Sequence, residues 1–137
     1  MGLYLCVFED DVDVDGIDVG MYDDWNGFIK AIVGHLEGGQ RGSRFPLLTL
    51  HPDSDGQWSP SECADLEKML DEIGREFDRL PAEPPGSGWK ADIAKRFGLH
   101  LKTLRDCFFD VDGESLIDRL RDLAKVAKKL NRPIIFQ

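Results

Sequence analysis

The sequence has few cysteines and no long apolar segment, and each absence excludes a class of protein. The three cysteines, Cys6, Cys63 and Cys107, lie far apart and form no CxxC pair, so they support neither a disulfide framework nor a structural zinc site. The apolar runs are short, whereas a helix that spans a membrane needs about 20 mostly apolar residues in succession. We therefore expect a soluble protein of the reducing cytoplasm that has no membrane partner.

Motifs of nucleophilic catalysis are also missing. No Ser or Cys occupies a GxSxG-type motif. His51 is followed by Asp53 and Asp55, but a lone His at the end of a predicted strand is more often a surface residue than a general base. The sequence therefore predicts no catalytic residue and no cofactor, and we expect a protein that is not an enzyme.

The segment Phe108–Gly113 resembles the first motif of haloacid-dehalogenase-type phosphatases, in which the first Asp is the nucleophile and the second a general acid. Asp110 and Asp112 would take these two positions. However, Glu114 stands where the motif is expected to have Thr, and the resemblance covers about six residues. A tight turn before a helix, with Asp112 or Gly113 near the helix cap, is the better explanation.

Positive charge is absent from the start of the chain. Residues 1–29 hold eight acidic side chains and no Lys or Arg, whereas residues 86–137 hold eleven basic and seven acidic side chains. The whole chain has a net charge of −9. Acids concentrated at one end make a directed negative field, which attracts a basic partner and repels phosphate groups. The charge distribution therefore favours a protein partner over nucleic acid.

The pattern of apolar and turn-forming residues predicts a single domain over residues 1–137. The predicted elements, in chain order, are a strand at Gly2–Phe8, an acidic loop at Glu9–Asp24, a helix at Trp25–Leu36, a strand at Phe45–His51, a helix at Ser59–Leu80, a loop at Pro84–Gly88, a helix at Trp89–Gly98, a short helix near Lys102–Cys107, a helix at Ser115–Leu130 and a strand at Pro133–Gln137. The order β-α-β-α-α-α-β predicts an α+β fold with a small, mainly antiparallel sheet flanked by about four helices.

The helix at Ser59–Leu80 has the clearest signature. Ser59 is the predicted N-cap, Pro60 falls at the first helical position, and Glu62 completes a capping box. The apolar residues that follow are Cys63, Leu66, Leu70, Ile73, Phe77 and Leu80. Their spacing of three and four residues is typical of a helix that packs on a core.

The acidic loop contains the opening of a calcium-binding EF-hand motif. In the run Asp11–Gly16 aspartates alternate with valines, and alternating Asp side chains can converge on one ion. Tyr22 stands at the twelfth position, where an EF-hand has Glu, and the element predicted before the loop is a strand. An EF-hand is therefore excluded. A looser calcium site that uses Asp23 or Asp24 stays open, as part of a calcium- or small-ligand-binding alternative, and no residue is assigned as a metal ligand.

Trp58 and Trp89 give the small-ligand alternative some support. Aromatic side chains near predicted loops can line a pocket. They also pack well in a core, so both uses stay open for these two residues.

The segment Asp92–Asp106 imitates a DNA-binding helix-turn-helix. Two helices joined by a Gly-containing turn would place Lys102 and Arg105 in a major groove. However, His100 and Leu101 occupy the positions where such turns usually have a small polar cap. A packed helix pair is the competing interpretation, and DNA binding is kept as a lesser alternative.

Four segments follow one another in an order that is found in a known family. They are the strand Met1–Leu5 with its acidic continuation, the helix start Trp58–Cys63, the segment Asp106–Glu114 and the ending Pro133–Gln137. Together they resemble small bacterial immunity proteins, which are encoded beside polymorphic or contact-dependent toxins. The resemblance implies that the protein binds and neutralises a cognate toxin domain.

The acidic stretch is the surface on which we expect the toxin to bind. Many toxins of the kind that the resemblance implies are basic. Opposite charge on the two proteins speeds their encounter, and aromatic anchors supply most of the affinity. The predicted partner-binding residues form an acidic rim with two aromatic anchors: Glu9, Asp10, Asp11, Asp13, Asp15, Asp18, Tyr22 and Trp25. Two competing uses stay open, because the acids can serve solubility alone and Trp25 also fits the apolar stripe of the following helix.

Overall fold

The structure is a computed structural model that describes residues 2–84 and 88–137. Its strands form one four-stranded antiparallel sheet in the order β2-β1-β4-β3. The strands are β1 (Gly2–Glu9), β2 (Val12–Met21), β3 (Gln57–Trp58) and β4 (Ile134–Phe136). The terminal strand predicted from the sequence is confirmed as β4, while β3 is a strand that the sequence analysis missed.

Five α-helices and a one-turn 3-10 helix at Leu104–Cys107 are found in the described residues. The helices are α1 (Tyr22–Leu36), α2 (Pro46–Thr49), α3 (Pro60–Phe77), α4 (Gly88–Arg96) and α5 (Leu116–Leu130). The predicted α+β fold with an antiparallel sheet and flanking helices is confirmed. Of the loop predicted at Pro84–Gly88, residues 85–87 lie outside the described residues.

The acidic stretch predicted as a loop is strand β2, so this part of the prediction was wrong. Asp10 and Asp11 have φ angles of 50° and 64°, and the two central residues of a type I′ hairpin turn both need positive φ. Beyond this turn Ile17 and Val19 are each 1% exposed, on either side of the exposed Asp18. Burial of Ile17 and Val19, together with the pairing of β2 to β1, thus outweighs the turn preference of its Asp and Gly residues.

The strand predicted at Phe45–His51 was also wrong, because the chain forms the short helix α2 there. Pro46 stands at the first turn of α2, where a missing N–H is tolerated. The buried carboxylate of Glu37 accepts the N–H of Phe45 at 2.9 Å and the hydroxyl of Thr49 at 3.2 Å. Burial alone would raise the pKa of Glu37, but its backbone N–H and hydroxyl donors outweigh burial and lower it. The carboxylate at the C-cap of α1 therefore holds both ends of α2.

Helix α3 begins as its signature predicts. The Ser59 hydroxyl accepts the N–H of Glu62 at 3.2 Å, and the Glu62 carboxylate accepts the N–H of Ser59 at 2.9 Å. Helix α5 is capped similarly by Ser115, which accepts the N–H of Asp118, and it ends at Asn131 in the left-handed conformation. Both helices direct their apolar stripes at one core, so the sequence analysis placed them correctly.

The core lies between one face of the sheet and the helices α1, α3 and α5. Its largest fully buried side chains are Trp25, Trp58, Phe28, Phe45 and Phe77. Tilted and edge-on ring contacts link most of them, with centroids 5.7 Å apart for Trp25 and Phe28 and 6.4 Å apart for Trp25 and Trp58. Trp58 is therefore a core residue.

Candidate functional site

The β1-β2 hairpin presents one face to the core and the other away from it. Along β1, Leu3, Leu5 and Val7 are fully buried in the core cluster, so the intervening Tyr4, Cys6 and Phe8 lie on the opposite face. Residues directly opposite on neighbouring strands share a face. The register pairs Tyr4 with Asp18, Cys6 with Gly16 and Phe8 with Asp13. We call these six residues, Tyr4, Cys6, Phe8, Asp13, Gly16 and Asp18, the hairpin face.

Tyr4 is fixed in position on the hairpin face. Its hydroxyl donates to Asp13 Oδ2 at 2.7 Å. Its ring lies over Gly16, where an added Cβ would come within 2.1 Å of the phenol oxygen, so only glycine fits beneath it. The hydrogen bond to the Asp13 carboxylate, together with burial, raises the pKa of Tyr4 to about 12. The hairpin face therefore presents a rigid, half-buried aromatic ring that stays neutral.

Two of the predicted acids, Asp13 and Asp18, lie together on the hairpin face. Both are exposed, and Asp18 Oδ1 accepts the N–H of Gly20 at 3.1 Å. Asp11 is exposed at the tip of the hairpin turn. These three carboxylates give the hairpin face and its tip a negative charge beside aromatic surface.

The other predicted acids are arranged differently. Asp15 lies opposite Val7 on the core-facing side and pairs with Arg119 of α5 at 3.8 Å. Asp10 lies 3.6 Å from Arg132 with 88% of its side chain exposed. Glu9 is half-buried at the end of β1. The structure thus splits the predicted rim instead of gathering it on one surface.

The two predicted anchors are not on the hairpin face. Trp25 is fully buried and contacts Phe136 with ring centroids 5.9 Å apart. It is a core residue, as its place in the helix stripe indicated, and we correct its assignment as a surface anchor. Tyr22 begins α1, is half-buried and packs against the core. Sequence reasoning missed Tyr4 and Phe8, although their alternation with the apolar residues of β1 was the signal that places them outward.

A groove of about 540 Å³ adjoins the hairpin face at Asp18. One wall is the end of the hairpin, including Gly20 and Met21, and the other is α4, including Trp89 and Ile93. We call it the Trp89 groove. The Trp89 indole N–H donates to Asp24 Oδ2 at 2.7 Å, and an added Cβ at Gly20 would come within 2.6 Å of the indole ring. The groove therefore has a fixed aromatic wall that depends on a glycine.

Lys90 holds α4 against the segment that contains Cys107, Phe108 and Phe109. It is 6% exposed, and its Nζ donates to the carbonyl of Cys107 at 3.3 Å. Its Nζ also lies 5.2 Å from the ring centre of Phe108 and 5.3 Å from that of Phe109. Burial lowers the pKa of Lys90. Its contacts point inward, so Lys90 supports the wall of the Trp89 groove.

Comparison with known families gives a match that extends over nearly the whole chain. The family model described as Immunity protein 70 matches residues 3–136. The chain belongs to the immunity protein 70 family. No curated protein and no solved structure was found to match it. The resemblance to immunity proteins seen in the sequence is thereby confirmed, and it indicates toxin neutralisation as the general function and a toxin protein as the partner.

In this immunity protein the phosphatase-like segment is a tight turn. Asp110 is 1% exposed, and its Oδ1 accepts the N–H groups of Asp112 at 2.9 Å and Glu114 at 3.0 Å. Gly113 has a φ of 78°, which glycine adopts without strain. The interpretation as a turn is confirmed.

The enzyme-like residues His51 and Asp53 make contacts within the fold. His51 stacks on Phe136 with centroids 4.1 Å apart, and its ring nitrogens lie near backbone carbonyls. Asp53 Oδ2 accepts the amide of Asn26 at 2.9 Å. These contacts hold the loop before β3 against the core. Immunity proteins are generally non-catalytic, and the contacts of His51 and Asp53 fit a structural role.

The helix-turn-helix hypothesis was wrong, because the second helix is missing. After α4 the next helical residues are the single 3-10 turn Leu104–Cys107, which is too short to be a recognition helix. Arg105 pairs with Asp78 at 3.1 Å and with Asp118 at 2.6 Å. The side chain expected to reach DNA thus joins α3 to α5.

The aspartates of β2 do not converge as a calcium loop would require. Asp13 and Asp15 lie on opposite faces of the hairpin. Within residues 2–84 and 88–137, no group of three or more His, Cys, Asp or Glu side chains is arranged to hold a metal ion. Nor does any helix of those residues have the length and apolarity to cross a membrane.

Proposed function

We propose that this immunity protein neutralises its cognate toxin domain by binding it through the hairpin face and the acidic tip of the hairpin. One observation supports the proposal above the others. A rigid aromatic ring, Tyr4, lies between two exposed carboxylates, Asp13 and Asp18, on a sheet face that points away from the core. Aromatic residues at the centre of an interface with charges around them are the usual composition of a binding surface.

The charges and the rings have separate physical roles in this proposal. Exposed carboxylates steer a basic partner toward the surface and raise the association rate. The half-buried rings of Tyr4 and Phe8 lose water on contact and slow dissociation. The proposal therefore specifies a toxin with a basic contact surface, bound in the cytoplasm without any chemical step.

The first experiment joins growth rescue with complex isolation. The toxin domain encoded beside this gene is induced alone and then together with the immunity protein, and the pair is isolated from the rescued cells. We expect rescue and a stable complex. Absence of both would overturn the assignment of this toxin as partner and the proposed neutralisation by binding.

The second experiment tests the acidic surface itself. We predict that the triple substitution Asp11→Asn, Asp13→Asn and Asp18→Asn lowers the association rate about tenfold at low salt. Asn can still accept the Tyr4 hydroxyl and the Gly20 N–H, and it tolerates the positive φ at position 11. The variant therefore removes charge while it keeps the local geometry. Stopped-flow or surface-based kinetics at two ionic strengths supply the measurement.

A matched control removes the same number of charges from other surfaces. Asp55, Asp65 and Asp122 are exposed and lie outside the hairpin. Their replacement by Asn changes the net charge equally, and we expect a much smaller fall in the association rate. Equal effects of the two triple variants would mean that net charge alone matters and that the hairpin face is not the contact surface.

A further inference from the structure

The Trp89 groove is an open, mainly apolar surface next to the hairpin face. Its volume of about 540 Å³ lies within the range of about 300–1,000 Å³ that is usual for binding pockets. Met21 is 48% exposed at its edge, and Ile93 and Val111 complete the apolar lining. A large apolar side chain that is nearly half exposed costs solvation, so this edge gains free energy when it is covered.

The groove is already formed before any partner arrives. The hydrogen bond from the Trp89 indole to Asp24, at 2.7 Å, fixes the plane of the ring, and Gly20 lets the ring approach the hairpin backbone. Lys90 holds the same helix from its buried side through the Cys107 carbonyl. A wall held at three points loses little conformational entropy on binding, which favours affinity.

Charged side chains surround the apolar lining. The rim carries two carboxylates, Asp18 and Asp92, and one guanidinium, Arg96. Asp18 also belongs to the hairpin face, so the two surfaces are continuous there. The rim is therefore net acidic, and it complements the basic contact surface that we assign to the toxin.

We infer that the Trp89 groove receives one large apolar side chain of the toxin, aromatic or leucine, next to a lysine or arginine that pairs with Asp18 and Asp92. This inference rests on the proposed function and adds the anchor that holds the complex together. The carboxylates of the hairpin face set how fast the toxin arrives, and the groove adds to the rings of Tyr4 and Phe8 in slowing its dissociation. A protein side chain is favoured over a free small molecule because the groove opens onto the same acidic surface as the hairpin.

The kinetic test separates the two surfaces. The paired substitution Met21→Ala and Ile93→Ala shortens the apolar lining, and we expect a dissociation rate about tenfold or more faster, with the association rate nearly unchanged. Leu50→Ala is the matched control, because Leu50 is an equally large apolar side chain that is 59% exposed and lies outside the groove. Thermal unfolding of each variant confirms that it is folded.

The charged rim has its own variant. Asp92→Asn removes one carboxylate from the groove, and Asp122→Asn removes one from the exposed side of α5. We expect the first to weaken the complex severalfold and the second to leave it unchanged. Equal affinities for the two variants would contradict the basic residue assigned to the occupant.

A spectroscopic reading complements the kinetics. The sequence contains three tryptophans, and two of them, Trp25 and Trp58, are fully buried in the core. With fluorinated tryptophan, the fluorine resonance assigned by Trp89→Phe is expected to shift on toxin binding, while the two core resonances stay in place. An unmoved Trp89 resonance in a formed complex would overturn the inference.

The outcomes distinguish this inference from the function on which it rests. If the wild-type protein forms no complex with the toxin, both fall. If it forms a complex that the groove variants leave as long-lived as before, the proposed function stands and the groove is not its anchor. A Trp89 resonance that shifts with a low-molecular-weight cell extract but not with the toxin assigns the groove to a small ligand and overturns the inference.

Discussion

Tyr4 and Asp13 form a pair whose properties depend on each other. The Tyr4 hydroxyl donates a hydrogen bond to the Asp13 carboxylate, with the two oxygens 2.7 Å apart, and the Tyr4 ring covers Gly16. Ionisation of the phenol would place two negative charges at hydrogen-bond distance, which is strongly unfavourable. The phenol of Tyr4 therefore stays neutral well above the pH at which an ordinary tyrosine ionises.

Titration of Tyr4 tests this pair. Tyr22→Phe leaves Tyr4 as the single tyrosine, and we predict that its absorbance titrates with a pKa of about 12, compared with an ordinary value of 10.0. Adding Asp13→Asn removes the charge and should return the pKa toward 10.0. A pKa near 10.0 for Tyr4 in Tyr22→Phe, with Asp13 retained, would contradict the hydrogen bond.

The same shift has a consequence for stability. Because the folded pKa lies above the unfolded one, the folded protein binds more protons between pH 10 and about 12. The stabilisation is complete below pH 10 and is lost as the pH rises through this range. Asp13→Asn should flatten the dependence of the free energy of unfolding on pH in this range.

At the scale of elements, the hairpin shows where the sequence was informative and where it misled. The alternation of apolar and acidic residues in Val12–Val19 is the period of a half-buried strand. Asp and Gly are also typical of turns, and that preference prevailed in our interpretation. The turn is Asp10-Asp11, which is not one of the usual Asn-Gly or Asp-Gly pairs. Sequence alone therefore gave no strong sign of the hairpin.

Strain in this turn can be relieved. We predict that Asp10→Asn with Asp11→Gly raises the free energy of unfolding by about 1 kcal/mol, because glycine adopts positive φ without the penalty paid by other residues. The comparison is with Asp10→Asn and Asp11→Asn, which removes the same charge but keeps a side chain at position 11. Urea unfolding of both variants gives the difference. An equal stability would show that the turn is not strained at position 11.

Strand β2 is an edge strand whose outward groups are partly occupied. The carbonyl of Gly16 accepts Arg119 Nη2 at 2.6 Å, and the carbonyl of Asp18 accepts the N–H of Val111 at 3.2 Å. Edge strands with free backbone groups recruit other strands, and occupied groups prevent this. The hairpin therefore offers its face to a partner more readily than its edge.

At the scale of the whole molecule, the sequence located the helices better than the sheet. Helices α3 and α5 carry their own caps and apolar stripes, so local sequence determines them. The short strand Gln57–Trp58 depends on pairing with Ile134 and Ile135, which are far away in the chain. The candidate site was found only in part, because the side of the sheet on which each acid lies is set by pairing register and by two irregularities in β1-β2.

One core joins the sheet to α1, α3 and α5, and this bears on the prediction of a single domain. We expect urea unfolding followed by far-ultraviolet circular dichroism to coincide with that followed by tryptophan fluorescence, since Trp25 and Trp58 report on the same core. Two separated transitions would show that the chain unfolds in parts and would contradict the single domain.

The cysteines are all buried, so a cysteine introduced on the surface can be labelled selectively. Cys6 and Cys63 are 0% exposed and Cys107 is 9% exposed. Burial raises the pKa of the Cys6 and Cys63 thiols to about 11, so little reactive thiolate forms at neutral pH. A cysteine introduced at an exposed position such as Asp55 would react with a maleimide well before the native thiols. The rate at which Cys6 is then modified would report how often the hairpin opens, without a reporter being added to the hairpin.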